Sequence, residues 1–99
     1  MKTHSETIEI KSRFGLHMRP AAEVSKLASS FDAIVVFYKG GKIAHAHSVV
    51  ELLTLGAFHG DVIKVTAIGN EAKAALDTVR QYFEDYSDEQ PSTDINEAA

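Results

Sequence analysis

Two residues that restrict the backbone in opposite ways, Gly15 and Pro20, bracket the stretch Leu16-His17-Met18-Arg19. Pro20 fixes its own φ and has no N–H, so it fits the first turn of a helix, where that N–H would lack an acceptor. Gly15 can take the backbone angles that a tight strand-to-helix turn needs. The pair therefore predicts a helix from about His17 to Ser30. Ala21, Val24, Leu27, Ala28 and Phe31 are spaced to form its buried face. Ahead of it, Thr7-Ile8-Glu9-Ile10-Lys11 alternates apolar and polar side chains, the pattern of a half-buried strand.

Similar signals organise the rest. Residues 33–39 are rich in Ile, Val, Phe and Tyr and predict a second strand. Gly40-Gly41 is a hairpin signal, with 42–46 as the returning strand. Residues 48–55 predict a short helix that ends at Gly56. Residues 61–68 form a fourth strand, with Ile63, Val65 and Ala67 on one face. Asn70 is the expected cap of a long helix whose stripe is Ala72, Ala75, Leu76, Val79, Tyr82, Phe83 and Tyr86. After Tyr86 the chain turns polar, and Pro91 opposes helix continuation. One apolar face per strand and one stripe per helix predict an α+β fold of two layers, with the helices on one side of a four-stranded sheet.

Ninety-nine residues suit one small domain, placed at 1–86. Residues 1–83 carry ten basic and eight acidic side chains, a net +2, which is too weak a bias for nucleic-acid binding. Glu84, Asp85, Asp88, Glu89, Asp94 and Glu97 follow without a compensating Lys or Arg, so 87–99 is expected to be a disordered acidic tail. There is no cysteine, hence no disulfide and no thiolate metal site. No apolar run is long enough to insert in a membrane, and the start of the chain lacks a signal-peptide pattern, so a cytoplasmic location is the default. His45 and His47 stand two apart on a strand, but a zinc site needs a third ligand and none is evident; surface histidines are expected. His4 falls in a terminus expected to fray, and His59 has no assigned role.

His17 is the residue with chemistry to offer. At a helix start it faces unpaired N–H groups and the positive end of the helix dipole. Arg19 adds a permanent cation able to grip a phosphate with two prongs. A neutral imidazole is nucleophilic and titrates near neutral pH, which suits a group that accepts and releases a phosphoryl. A lone histidine near a helix end is more often a cap or a surface residue. Ser48 also has two readings. Ser48-Val49-Val50-Glu51 matches a capping box, and a phosphoserine would also be favoured at a helix N-terminus. Capping ranks first because it needs no partner.

Three stretches together resemble the HPr family of histidine phosphocarriers of the bacterial phosphotransferase system. They are Gly15-Leu16-His17-Met18-Arg19-Pro20-Ala21-Ala22, Gly41-Lys42 leading through Ala44 and Ala46 to Ser48, and Thr54-Leu55-Gly56. Ser48-Val49-Val50-Glu51-Leu52-Leu53 is also similar to the family's nitrogen branch, NPr. The resemblance implies an open-faced β-sandwich with an antiparallel sheet and three helices on one face (βαββαβα). It implies that His17 is phosphorylated on Nδ1 through Enzyme I, at the expense of phosphoenolpyruvate. Arg19, Gly15 and Pro20 would support the phosphate, and the group would pass on to an Enzyme IIA domain in sugar uptake. It implies a monomeric carrier rather than an enzyme, with no cofactor and no metal. It places partner docking on Met18, Lys26, Val49, Val50 and Leu53. It makes Ser48 a candidate substrate of an HPr kinase, although Glu51 would repel a phosphate there. Phe14 departs from the small or polar residue common before the family's Gly-Leu-His. The alternative implied by the nitrogen-branch likeness is a regulatory binding module.

Overall fold

The computed structural model describes residues 2–88. Pro91 and the part of the acidic tail at 89–99 lie outside the described residues. The chain runs β1 (Thr3–Glu9), α1 (Met18–Ala28), β2 (Ile34–Lys39), β3 (Lys42–His45), α2 (Val49–Thr54), β4 (Val62–Ile68) and α3 (Ala72–Asp85). The four strands form one antiparallel sheet in the order β1-β4-β2-β3. The expected α+β architecture is present, with helices on one face of the sheet.

Period-2 patterning decides which sheet face is buried. In β4, Ile63, Val65 and Ala67 are fully buried, whereas Val62 and Lys64 on alternate positions are exposed; Thr66 on the other face is also buried. Val35 and Phe37 of β2 and Ala44 of β3 continue this inner face. Ala72, Ala75, Leu76, Val79 and Phe83 of α3 cover it, as do Ala21, Val24 and Ala28 of α1. Phe37 meets Phe83 edge-on with ring centroids 6.0 Å apart. Truncating a fully buried Phe such as Phe37 to Ala costs about 3–5 kcal/mol, through lost transfer energy and the cavity left behind. Gly40 and Gly41 both have positive φ, 53° and 84°, as a two-residue type I′ hairpin turn requires.

Two expectations need correcting. β1 begins at Thr3 rather than Thr7, so His4 lies within a paired strand opposite Ala67 instead of in a fraying end. Residues 3–7 are all exposed and carry no apolar alternation; pairing with β4, together with the Ser5 hydroxyl bonded to that of Thr66 at 2.8 Å, holds them extended. Asn70 does not cap α3. The cap position is Glu71, and the Asn70 amide donates to the Asp32 carboxylate at 2.9 Å while Glu71 Oε1 accepts from the Asp32 N–H at 2.7 Å. The two turns, from α1 to β2 and from β4 to α3, are thus tied to each other.

Candidate functional site

The site forms where α1 starts and α3 ends. Gly15 has φ 72° and backs onto the loop after α2. A Cβ there would lie 2.4 Å from the Ala57 carbonyl oxygen and 3.1 Å from Phe58 Cα, so only glycine fits. The Leu16 N–H donates to that same carbonyl at 3.0 Å, which fixes the turn against the loop. His17 then occupies the cap position of α1 with extended angles, φ −98° and ψ −169°, and its side chain makes no capping bond. The imidazole is therefore not spent on the helix end. Met18, Arg19 and Pro20 form the first turn, whose N–H groups have no carbonyl four residues back within the helix. Pro20 is buried there and has no N–H to leave unpaired.

The His17 ring is half-buried and is held from two sides. Phe14 meets it edge-on, with centroids 5.6 Å apart and planes at 83°. The Tyr86 hydroxyl lies 3.3 Å from Nε2. Nδ1 has no hydrogen-bond partner among the described residues. Arg19 occupies the same corner, with its guanidinium over the Tyr86 ring at 4.6 Å and Nη2 donating to the Ser87 carbonyl at 2.9 Å. Asp88 closes the corner by accepting the Arg13 N–H at 2.9 Å and pairing with the Arg13 guanidinium at 3.7 Å. These bonds hold the Asp88 carboxyl below its usual range, the Arg13 N–H contributing most, despite the opposing effect of burial. Burial raises the Tyr86 hydroxyl, which stays protonated at neutral pH. Ser87 and Asp88, assigned to a tail by their composition, are thus part of the site's wall.

The residues expected to dock partners separate. Phe14 and Met18 are exposed beside His17, and Val50 and Leu53 are exposed on α2, which packs against α1. Val49 is half-buried against the core. Lys26 is exposed in the last turn of α1, eight residues after Met18 and so about 12 Å along the axis from the site. Phe58, which the sequence reading passed over, is exposed next to Gly15, with the Lys39 ammonium 4.7 Å above its ring.

Ser48 does cap α2. Its hydroxyl accepts the Glu51 N–H at 3.2 Å. The reciprocal half of the expected capping box is absent, because Glu51 Oε1 instead takes the His45 N–H at 2.8 Å and His45 Nδ1 at 2.9 Å. The His45 N–H bond, followed by the ring bond, lowers the Glu51 carboxyl from its ordinary value. His45 is therefore a partly exposed histidine held by hydrogen bonds to Glu51.

A small α+β domain with a histidine at an open helix end matches a known class. The family model described as the phosphotransferase-system HPr component phosphorylation site matches residues 4–85. The phosphocarrier protein HPr of Vibrio cholerae is 40% identical over 74 residues, covering 75% of this chain and 87% of that protein. The phosphocarrier protein NPr of Escherichia coli K12 is 38% identical over 88 residues, covering 88% of this chain and 98% of that protein. An HPr crystal structure from Thermoanaerobacter tengcongensis superimposes with a TM-score of 0.78 at 34% identity, covering 82% of this chain and 91% of that one. These relatives are carriers of phosphoryl groups. The chain belongs to the HPr family of phosphocarriers of the phosphotransferase system. Among the described residues no helix is long and apolar enough to cross a membrane.

Proposed function

We propose that this protein relays a phosphoryl group through His17, taking it from Enzyme I on Nδ1 and giving it to an Enzyme IIA domain in sugar uptake. The observation that carries the reading is the cap position of His17, where the imidazole leaves the helix end uncapped and Nδ1 unbonded. Phosphoryl transfer needs positioning and charge stabilisation more than covalent help from the protein. The first turn of α1 supplies oriented N–H groups and the dipole, each worth about 0.3–1 kcal/mol when exposed. Arg19 adds fixed positive charge in the same corner. Such modest terms favour an acquired phosphate without trapping it, as a relay requires. The exposed apolar side chains Phe14, Met18, Val50 and Leu53 form the surface on which partners dock.

A second reading is the nitrogen branch, in which the same relay serves regulation. The 38% identity to an NPr over nearly its whole length favours it, as does the Ser48–Leu53 helix. Ser48 as a kinase substrate has less support, because its hydroxyl is already bound as a cap beside the Glu51 carboxylate. The test is incubation with labelled phosphoenolpyruvate and Enzyme I. An acid-labile label that disappears in His17→Ala supports the carrier. Label only with the nitrogen-branch Enzyme I moves the protein to that branch, and no label with either overturns both readings.

A further inference from the structure

We infer that Tyr86 is a positioning residue for His17, its hydroxyl oxygen accepting the Nε2–H and so keeping the nucleophilic lone pair on Nδ1. The inference deepens the carrier reading of His17 and rests on it. A neutral imidazole carries its single N–H on one nitrogen or the other, and the bond made by the far nitrogen selects which. Here the far nitrogen is Nε2, 3.3 Å from the Tyr86 hydroxyl.

That geometry alone leaves the direction of the bond open, since a phenol can donate or accept. The carrier reading supplies the direction. An Nδ1 that attacks phosphorus bears no proton, so the single proton of the neutral ring is on Nε2, and the Tyr86 oxygen 3.3 Å away accepts it.

The phenol itself is well anchored. Its ring lies under the Arg19 guanidinium and meets Tyr82 edge-on at 5.9 Å. Tyr82 in turn donates to the Glu23 carboxylate on α1. The placement of Tyr86 thus follows from how α1 and α3 pack, not from a mobile loop.

In the transfer step the Nδ1 lone pair attacks phosphorus. The Nδ1–P bond forms as the bond from phosphorus to the donor breaks, and that electron pair leaves with the donor. Nε2 keeps its proton and donates it in a hydrogen bond to the Tyr86 oxygen. The ring becomes cationic beside the dianionic phosphoryl. In the reverse step it departs as neutral imidazole, a far better leaving group than imidazolate.

The experiment compares the unaltered protein with Tyr86→Phe, which keeps the ring and its cation–π contact. Tyr38→Phe removes a phenol hydroxyl on β2, beside Lys64 and away from the site, and serves as the control. Nitrogen-15 NMR of the His17 ring, at a pH where it is neutral, reads the tautomer directly. The unaltered protein and the control are expected in the Nε2–H form. In Tyr86→Phe the ratio of Nε2–H to Nδ1–H is expected to fall about two- to tenfold, the reach of one neutral hydrogen bond. Phosphoryl acceptance from Enzyme I should show a lower kcat at unchanged KM. An unchanged ratio in Tyr86→Phe, or an Nδ1–H form in the unaltered protein, overturns the inference. Failure of the unaltered protein to be labelled overturns the carrier reading instead, and the tautomer measurement, which needs no partner, tells the two failures apart.

Discussion

Two helix beginnings in this fold are built in opposite ways. At α2 the Ser48 hydroxyl caps the helix, and the Glu51 carboxylate is committed to His45. At α1 the cap position holds His17, whose side chain turns away to Tyr86 and leaves the first turn without a capping bond. The backbone at position 17 is extended and suited to a capping serine or aspartate, which makes the missing cap a matter of side-chain choice. A closed end contributes stability, whereas an open end keeps its N–H groups and dipole available to an incoming anion. A missing side-chain cap is not by itself the signature, since α3 also starts without one at Glu71; what sets α1 apart is that its cap position holds an imidazole.

The comparison can be broken most completely by closing the open end. His17→Ser is expected to abolish the acid-labile label while raising unfolding stability by about 0.5–1 kcal/mol, the value of a new cap. Labelling and denaturant titration on the same sample check both halves. Gly15→Ala attacks what places that end. A side chain at φ 72°, 2.4 Å from the Ala57 carbonyl oxygen, should cost about 2–4 kcal/mol in thermal unfolding, through backbone strain and overpacking. Ser48→Ala opens the closed end and should cost about 1 kcal/mol without loss of label.

Glu51→Gln gives the smallest effect and a pH signature. The folded Glu51 lies below its ordinary 4.5, so its stabilisation is present above that pH and is lost as pH falls through the folded value. The amide variant should therefore be less stable on the neutral plateau and converge with the unaltered protein as pH falls through the folded value, which flattens the acid limb. A profile that merely shifts down in parallel would contradict this account.

Short-range signals carried most of the fold. Gly40-Gly41 marked the hairpin, Ile63, Val65 and Ala67 marked the inner face of β4, and Ser48 marked the start of α2. Each works through contacts within a few residues. Thr3 to Ser5 gave no such signal, because their extended form depends on pairing with residues 66–68. Asn70 misled because its side chain found the Asp32 carboxylate across the fold and left the cap position to Glu71. The site was half legible. His17 and Arg19 are announced by Gly15 and Pro20 nearby, while Tyr86 sat in an apolar stripe as a core residue, and Ser87 and Asp88 in a charged run as tail. Nothing local distinguishes a stripe residue whose hydroxyl meets a histidine 69 positions earlier.

That separation has a consequence for how the protein is made. His17 leaves the ribosome early, whereas Tyr86 and Asp88 emerge only after β4 and α3 have been synthesised. The imidazole therefore acquires its wall last, once the 69-position separation from Tyr86 has been closed and its ordering entropy has been met. A chain released early, short of α3's final turn, would still display the Gly15–Ala21 motif to any reagent that recognises it. It would lack the Tyr86 hydroxyl that meets the ring. The corner around His17 is in this sense closed by α3, the last of the described helices, upon the start of the first.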